Sequence, residues 1–241
     1  MRVAVVGGHG KTGRAVGAAL TRRGHDAAPL GRADWPTLAE AMTDCHAAYL
    51  IAPNMHPDEP AYVATAVEAA RAAGIGRVVL HSVASPYAPA MPHHVAKAAA
   101  EDVVRRSGPA WTILQPGAYL QNLDLTRTVR IAYRTDAPFG FADLDDVAEA
   151  AATVLTEDGH EGATYELASR RTTVAELAAE AGVDVVVVTP EEWAATDGAA
   201  LEPRVRDWLL AMVAYYDAHG LPVGTLPLRA LLDGGPARPS V

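Results

Sequence analysis

Apolar and polar residues change their spacing several times along the chain. Residues 2–6 form a β-branched run that stops at Gly7 and Gly8, and residues 11–23 then place Val16, Ala19 and Leu20 at helical spacing. This predicts a strand, a glycine turn and a helix. The alternation recurs with strands at 26–30 and 47–52 and helices at 36–44 and 58–73, then with a strand at 77–81, a helix at 92–107 and a strand at 111–114. Strands that alternate with helices imply a parallel sheet covered on both faces. Beyond Gly117 the pattern weakens, and 118–142 reads as a long loop with a short extended piece near 129–133, a length at which loops are commonly functional. A helix at 143–156, a strand at 163–167, a helix at 172–181 and the apolar run 183–188 follow. Helix 202–219 places Trp208, Leu209, Met212, Val213 and Tyr216 at amphipathic spacing and is expected to pack against the body, and 234–241 reads as a tail. No repeat, low-complexity tract or linker divides the chain. The expectation is one α/β domain over 1–241, with a nucleotide-binding core at about 1–117 and a smaller substrate-covering portion at about 118–233.

Between the first strand and the first helix lies Gly7-Gly8-His9-Gly10-Lys11-Thr12-Gly13. Glycines here let the backbone turn tightly and let a pyrophosphate approach the amides at the helix N-terminus, where aligned peptide dipoles favour negative charge. Gly-Lys-Thr also invites comparison with a nucleoside-triphosphate loop, but that loop needs a glycine where Val5 stands. The second strand ends at Leu30-Gly31-Arg32-Ala33-Asp34, where an adenosine ribose would lie. An acidic residue at that strand end accepts from both ribose hydroxyls of NAD, whereas an arginine pairs with the extra phosphate of NADP. Arg32 therefore points to NADPH, with a solvated surface arginine as the alternative. Asp34 either touches the adenine edge or caps the following helix.

Composition narrows the partners. With 20 Lys plus Arg against 29 Asp plus Glu, the formal net charge of −9 repels nucleic acid and anionic membrane. The one cysteine, Cys45, excludes an intrachain disulfide and reads as a small buried hydrophobe. No signal peptide opens the sequence and no run nears about 18 apolar residues, so a cytoplasmic protein with a small-molecule substrate is expected. A homodimer is compatible with this. The histidines include no His-Glu-x-x-His helix and no Gly-x-Ser-x-Gly elbow is present, so neither a metal nor a common serine hydrolase is expected. Only Lys11 and Lys97 are lysines among the 20 basic residues, which suggests that each is needed as an ammonium.

Residues 5–13, with glycines at 7, 10 and 13, the segment Pro92-His-His-Val-Ala-Lys-Ala-Ala-Ala-Glu101, the stretch 112–122, and the later pieces 141–148 and 162–167 occur in one order. Together they resemble the NmrA-like group of atypical short-chain dehydrogenases, over roughly residues 1–195. The resemblance implies a Rossmann-like fold, NAD(P) binding, and either reductase chemistry or redox sensing. Two departures stand out. Residues 31–46 leave too little room for the usual helix, strand and helix, so one edge unit should be missing and the sheet narrower. Four residues before Lys97, where short-chain dehydrogenases carry their proton-donating tyrosine, stands His93.

The resemblance implies that Lys97 bonds the nicotinamide ribose and orients the ring. His93 or His94 then either protonates the acceptor oxygen or is merely structural. Ser82, at the end of strand 77–81, either orients a carbonyl substrate or closes a turn. Pro53 and Pro116 should border the cofactor together with the residues of the glycine turn, and Asn54, Met55, Tyr87, Tyr119, Asn122 and Phe139 should line the substrate cleft. The expected activity is hydride transfer from NADPH to a carbonyl, quinone or activated alkene of a small aromatic or polyketide-like molecule. The alternative is an NADP(H)-binding regulator that acts on a protein partner without chemistry.

Overall fold

Alternating side chains of the first strand feed two cores at once. In the computed structural model, which describes residues 1–233, β1 (Arg2–Val6) sends Val3 and Val5 into one apolar cluster and Ala4 and Val6 into the other. Apolar residues on both faces are what a central parallel strand requires. The tail expected at 234–241 lies outside the described residues. After β1 come α1 (Lys11–Arg22), β2 (Asp26–Leu30), a 3-10 turn at Trp35–Thr37, α2 (Leu38–Ala41), β3 (Ala47–Leu50), α3 (Glu59–Ala72), β4 (Arg77–His81), α4 (Pro92–Arg105) and β5 (Ala110–Pro116). The helix expected at 36–44 is thus reduced to one turn of each helix type.

The second half adds β6 (Ala118–Tyr119), β7 (Val129–Ile131), β8 (Phe139–Ala142), α5 (Leu144–Thr156), β9 (Ala163–Leu167), β10 (Arg170–Thr172), α6 (Val174–Ala181) and β11 (Val185–Val187). It closes with α7 (Pro190–Ala195), α8 (Pro203–His219) and α9 (Leu226–Leu232). The main sheet is parallel throughout, in the order β2-β1-β3-β4-β5-β9. Side chains of α2, α3 and α4 pack on one face, including Leu38, Val63, Val67, Ala100 and Val104. Those of α1, α5 and α9 pack on the other, including Val16, Leu20, Val147, Leu155 and Leu231.

The missing edge unit leaves β2 as an outer strand. Asp26 donates its amide to Met1 and Leu30 accepts from Gly7, so even residues of β2 face β1 and Pro29, which has no N–H, faces the open edge. Proline at that position deters edge-to-edge pairing.

Residues 118–142 are not the single loop expected. The short extended piece expected near 129–133 is β7, and β6 and β8 are added to it, too short for alternation to register; β8 pairs with β10 and β7 with β11, far along the chain. Helix α8 packs against the body as expected, although none of its 17 residues is fully buried. Its later part packs through Tyr216 on Phe139 and Tyr133, and its earlier part reaches back over Met55 and His93.

Candidate dinucleotide site and the polar stripe of helix α4

The chain runs from β1 out to β2 and returns on the opposite side of β1 as β3, so the strand order reverses at the ends of β1 and β3. Crevices of open α/β sheets form at such points. There Gly7 has a φ of 80° and a Cβ on it would lie 2.8 Å from the Ile51 carbonyl oxygen. A Cβ on Gly13 would lie 2.4 Å from the Gly7 carbonyl, and one on Gly8 2.6 Å from Pro29 Cα. These three glycines hold the turn together. Gly10 differs, since a Cβ there meets only the Gly7 carbonyl, at 3.3 Å, and points into open space.

Helix α1 starts from Gly10 with no side-chain cap and no acidic residue in its first turn. Its first amides and the positive end of its dipole are therefore left for an anion, and the turn fits a dinucleotide pyrophosphate. Lys11 Nζ donates to the Gln121 carbonyl at 3.2 Å, and Gln121 in turn bonds Asp143 and the Leu144 amide. Thr12 is half-buried and His9 exposed, with the His9 ring against Gly31, where a Cβ would come within 2.6 Å of it. Asp34 accepts from the Gly31 amide at 2.8 Å and so holds its own loop, making no cap bond to the turn after it. Arg32 is exposed and makes no side-chain hydrogen bond or ion pair among the described residues, so its guanidinium is available to a phosphate.

Helix α4 buries polar residues where a structural helix buries apolar ones. His93, Lys97 and Glu101 recur every fourth residue on one face, all under a tenth exposed, and His94 is fully buried beside them. Lys97 Nζ donates to Glu59 Oε1 at 2.7 Å, and Glu59 is 1% exposed at the first position of α3. Four buried side-chain atoms among the described residues have no partner, and three of them, Glu59 Oε2, His93 Nδ1 and His94 Nε2, belong to this group. Burial, reinforced by the Lys97 charge, holds His93 down to about 3. Burial likewise holds His94 at about 4, against hydrogen bonds to backbone carbonyls of Ser85 and Ala84. Both imidazoles are neutral near pH 7. Neither is an imidazolium acid there, which restricts the role foreseen for His93 to that of a neutral N–H donor.

Ser82 lies at the end of β4 as expected, but its hydroxyl donates to Glu101 Oε1 at 2.5 Å. The same carboxylate accepts from Gln115 at 2.7 Å, Arg105 at 3.0 Å and Tyr87 at 3.5 Å. Tyr87 also accepts from Arg105 at 3.1 Å, so both Ser82 and Tyr87 belong to the Glu101 network rather than to Lys97. On the other face, His81 Nδ1 meets Tyr49 at 2.7 Å and its Nε2 meets Tyr119 at 3.4 Å. Burial and the Lys97 charge hold His81 at about 3, so it is neutral and anchors Tyr119, which packs against the cluster that holds Val16 and Leu20 of α1.

Pro53 and Asn54 are exposed after β3, and Met55 is buried with a φ of 54°, a conformation that non-glycine residues seldom adopt outside functional loops. The Met55 carbonyl accepts from Arg204 of α8 at 3.1 Å. Arg204 lies 4.6 Å over Trp208, whose ring stacks 6.1 Å from His93. Trp208, Leu209, Met212 and Val213 are half-exposed, so the early part of α8 is an apolar cover over the polar stripe. Pro116 is buried at the end of β5 and Asn122 is exposed. Phe139 does not line the cleft as expected, because its ring packs among Phe141, Tyr133 and Tyr216 in the apolar core of the second half. Its burial follows from β8, whose four residues are all covered.

Four participants were not foreseen. Glu59 reads in sequence as an ordinary acidic first-turn residue, Glu101 as a motif position without a role, His81 as a strand residue, and Arg204 as surface. Only the bonding partners distinguish them. Among the described residues no group of three His, Cys, Asp or Glu is placed to hold a metal.

A parallel sheet with a glycine turn open to an anion at its reversal point defines a Rossmann-type dinucleotide-binding protein. A family profile described as NAD(P)H-binding matches residues 31–158, and the chain belongs to that family. It is 30% identical over 171 residues to an NAD(P)H azoreductase of Xenophilus azovorans, which covers 65% of this chain and 59% of that protein. It is 35% identical over 125 residues to quinone oxidoreductase 2 of Escherichia coli, covering 47% of this chain and 42% of that protein. The chain thus spans about half the length of the curated relatives it matches. The crystal structure of the latter with NADPH superposes with a TM-score of 0.80 at 23% identity, over 97% of this chain and 95% of that one. NmrA, described as a negative transcriptional regulator, superposes at 0.76 and 16% identity over 98% and 92%. These superpositions establish the fold. No helix among the described residues is long and apolar enough to cross a membrane.

Proposed function

We propose that the chain is an NADPH-dependent reductase in which the bound nicotinamide supplies hydride to a carbonyl, quinone or activated alkene of a small aromatic or polyketide-like molecule. One observation carries this: of the four unpartnered buried side-chain atoms among the described residues, three gather around Lys97 beneath an apolar cover, at the sheet end that also bears the glycine turn. Buried polar atoms are nearly always bonded, so a cluster of exceptions marks a place for a ligand. The reductase names of the azoreductase and quinone oxidoreductase relatives support the reaction class.

In this arrangement the Lys97 ammonium, dry and fixed by Glu59, orients the nicotinamide ribose and favours negative charge that develops on an acceptor oxygen. Neutral His93 offers one N–H donor to the same oxygen. Trp208 and its half-exposed neighbours on α8 exclude water and give an aromatic substrate a flat apolar contact. The regulator alternative has its own support: Ser82 is committed to Glu101, and His93 rather than a tyrosine stands four residues before Lys97.

Cofactor preference is the first test. Arg32 has no side-chain partner among the described residues, and its paired bonds to a ribose phosphate should contribute about 1.5–3 kcal/mol. NADPH should bind the wild type about 10–100-fold more tightly than NADH, and Arg32→Ala should remove most of the difference. Equal affinities in the wild type, measured by fluorescence titration, would contradict NADPH specificity.

A further inference from the structure

We infer that Glu59 is a cofactor-binding residue: its Oε1 fixes Lys97, and its Oε2 takes a hydroxyl of the nicotinamide ribose. This rests on the dinucleotide reading above and adds to it a second residue, from a different helix. Lys97 does not stand free to approach a ribose alone, because its ammonium is already bonded to Glu59 at 2.7 Å with both side chains nearly excluded from water. Any group that approaches the ammonium therefore meets a carboxylate too. One oxygen of that carboxylate is unpartnered at 1% residue exposure, and an ionised carboxylate has lone pairs for about four hydrogen bonds.

A ribose diol matches the pair, since each of its hydroxyls both donates and accepts, one toward Oε2 and one from Nζ. The placement of Glu59 is set firmly by its own segment. Asp58 caps α3 by accepting from the Ala61 amide at 3.1 Å, Pro60 follows at a position where a helix needs no N–H, and α3 packs along α4 through Val63, Val67, Ala100 and Val104. The segment also follows the strained Met55 turn at the end of β3, next to the reversal point. Glu101, by contrast, is bonded to protein at both its oxygens.

Binding of the two halves of the cofactor separates the possibilities. NADPH, 2′,5′-ADP and nicotinamide mononucleotide are titrated against wild type, Glu59→Gln, and the double variant Glu59→Gln/Lys97→Met, which leaves no charge unpaired and so guards against misfolding. Both variants should lose about tenfold or more in affinity for NADPH and for the mononucleotide. Affinity for 2′,5′-ADP, which reaches only the glycine turn and Arg32, should stay within about twofold, and it reports that the fold is intact. If the variants melt earlier while the ratio of NADPH to 2′,5′-ADP affinity is unchanged, Glu59 is a structural partner of Lys97 and the inference is overturned. If the wild type binds none of the three ligands, the dinucleotide reading itself fails, which is a separate outcome.

Discussion

Gly13→Val should strongly destabilise the protein, whereas Gly10→Val should leave it folded and unable to bind NADPH. A Cβ on Gly13 falls 2.4 Å from the Gly7 carbonyl oxygen, 2.6 Å from Gly8 Cα and 2.9 Å from the Gly7 carbonyl carbon. All three are backbone atoms between β1 and α1, so nothing yields without separating the helix from the strand. The cost should reach about 3 kcal/mol or more, a large share of the roughly 5–15 kcal/mol by which domains are stable. At Gly10 the same change meets one atom at 3.3 Å and otherwise fills the space in front of the α1 amides. Circular dichroism and thermal melting should show Gly10→Val close to wild type, while cofactor titration shows no binding. A Gly13→Val protein that melts like wild type, or a Gly10→Val protein that binds NADPH normally, would contradict the assignment of these glycines.

Acid should unfold the protein earlier than its carboxylates alone would dictate. His81 and His93 are held at about 3 and His94 at about 4, chiefly by burial, against an ordinary value of 6.5. Between those values the unfolded chain binds protons that the folded chain refuses. The stabilisation is therefore complete above about pH 6.5 and is lost as pH falls toward the folded values. Each imidazole loses about 1.4 kcal/mol per pH unit in that window, so the three together lose on the order of 4 kcal/mol per unit. The carboxylates held low by arginine or hydroxyl partners, such as Glu149, Glu176 and Glu180, start from 4.5 and act only below it. The interval from pH 6.5 to 5 thus belongs to the imidazoles. Melting temperature should drop steeply there and be level above pH 7, and His94→Gln should reduce the slope by about a third. A level profile down to pH 5 would show that these imidazoles accept protons in the folded state.

Much of this was legible in the chain because it depends on local rules. The strands at 2–6 and 77–81 follow from β-branched runs, those at 26–30 and 163–167 from their place in the alternation with helices, the turn at 7–13 from its glycines, and the missing edge unit from counting residues 31–46. The second half was less legible. An extended piece at 129–133 was legible and is β7, but strands of two to four residues such as β6 and β8 carry too few alternations to register, and the pairing of β8 with β10 and of β7 with β11 is decided by tertiary packing. That is also why Phe139 looked like a cleft residue and is a core one. At the site, sequence marked Lys97 by its rarity and His93 by its place before it, but not Glu59 or Glu101, since an acidic residue in a helix is ordinarily a solvated one. Burial and the bonds to Lys97, Ser82, Gln115 and Arg105 set these two apart.

The central claim is that Lys97 and the glycine turn serve reduction by NADPH. Its most direct measurement follows NADPH absorbance with a panel of quinones, enones and aromatic ketones, using wild type and Lys97→Met whose NADPH affinities have been determined. At least one compound should be reduced, and at saturating NADPH the rate should fall about 10²–10³-fold in Lys97→Met, further than its NADPH affinity falls. Tight NADPH binding with no compound consumed faster than in buffer would contradict the reductase and leave the regulator.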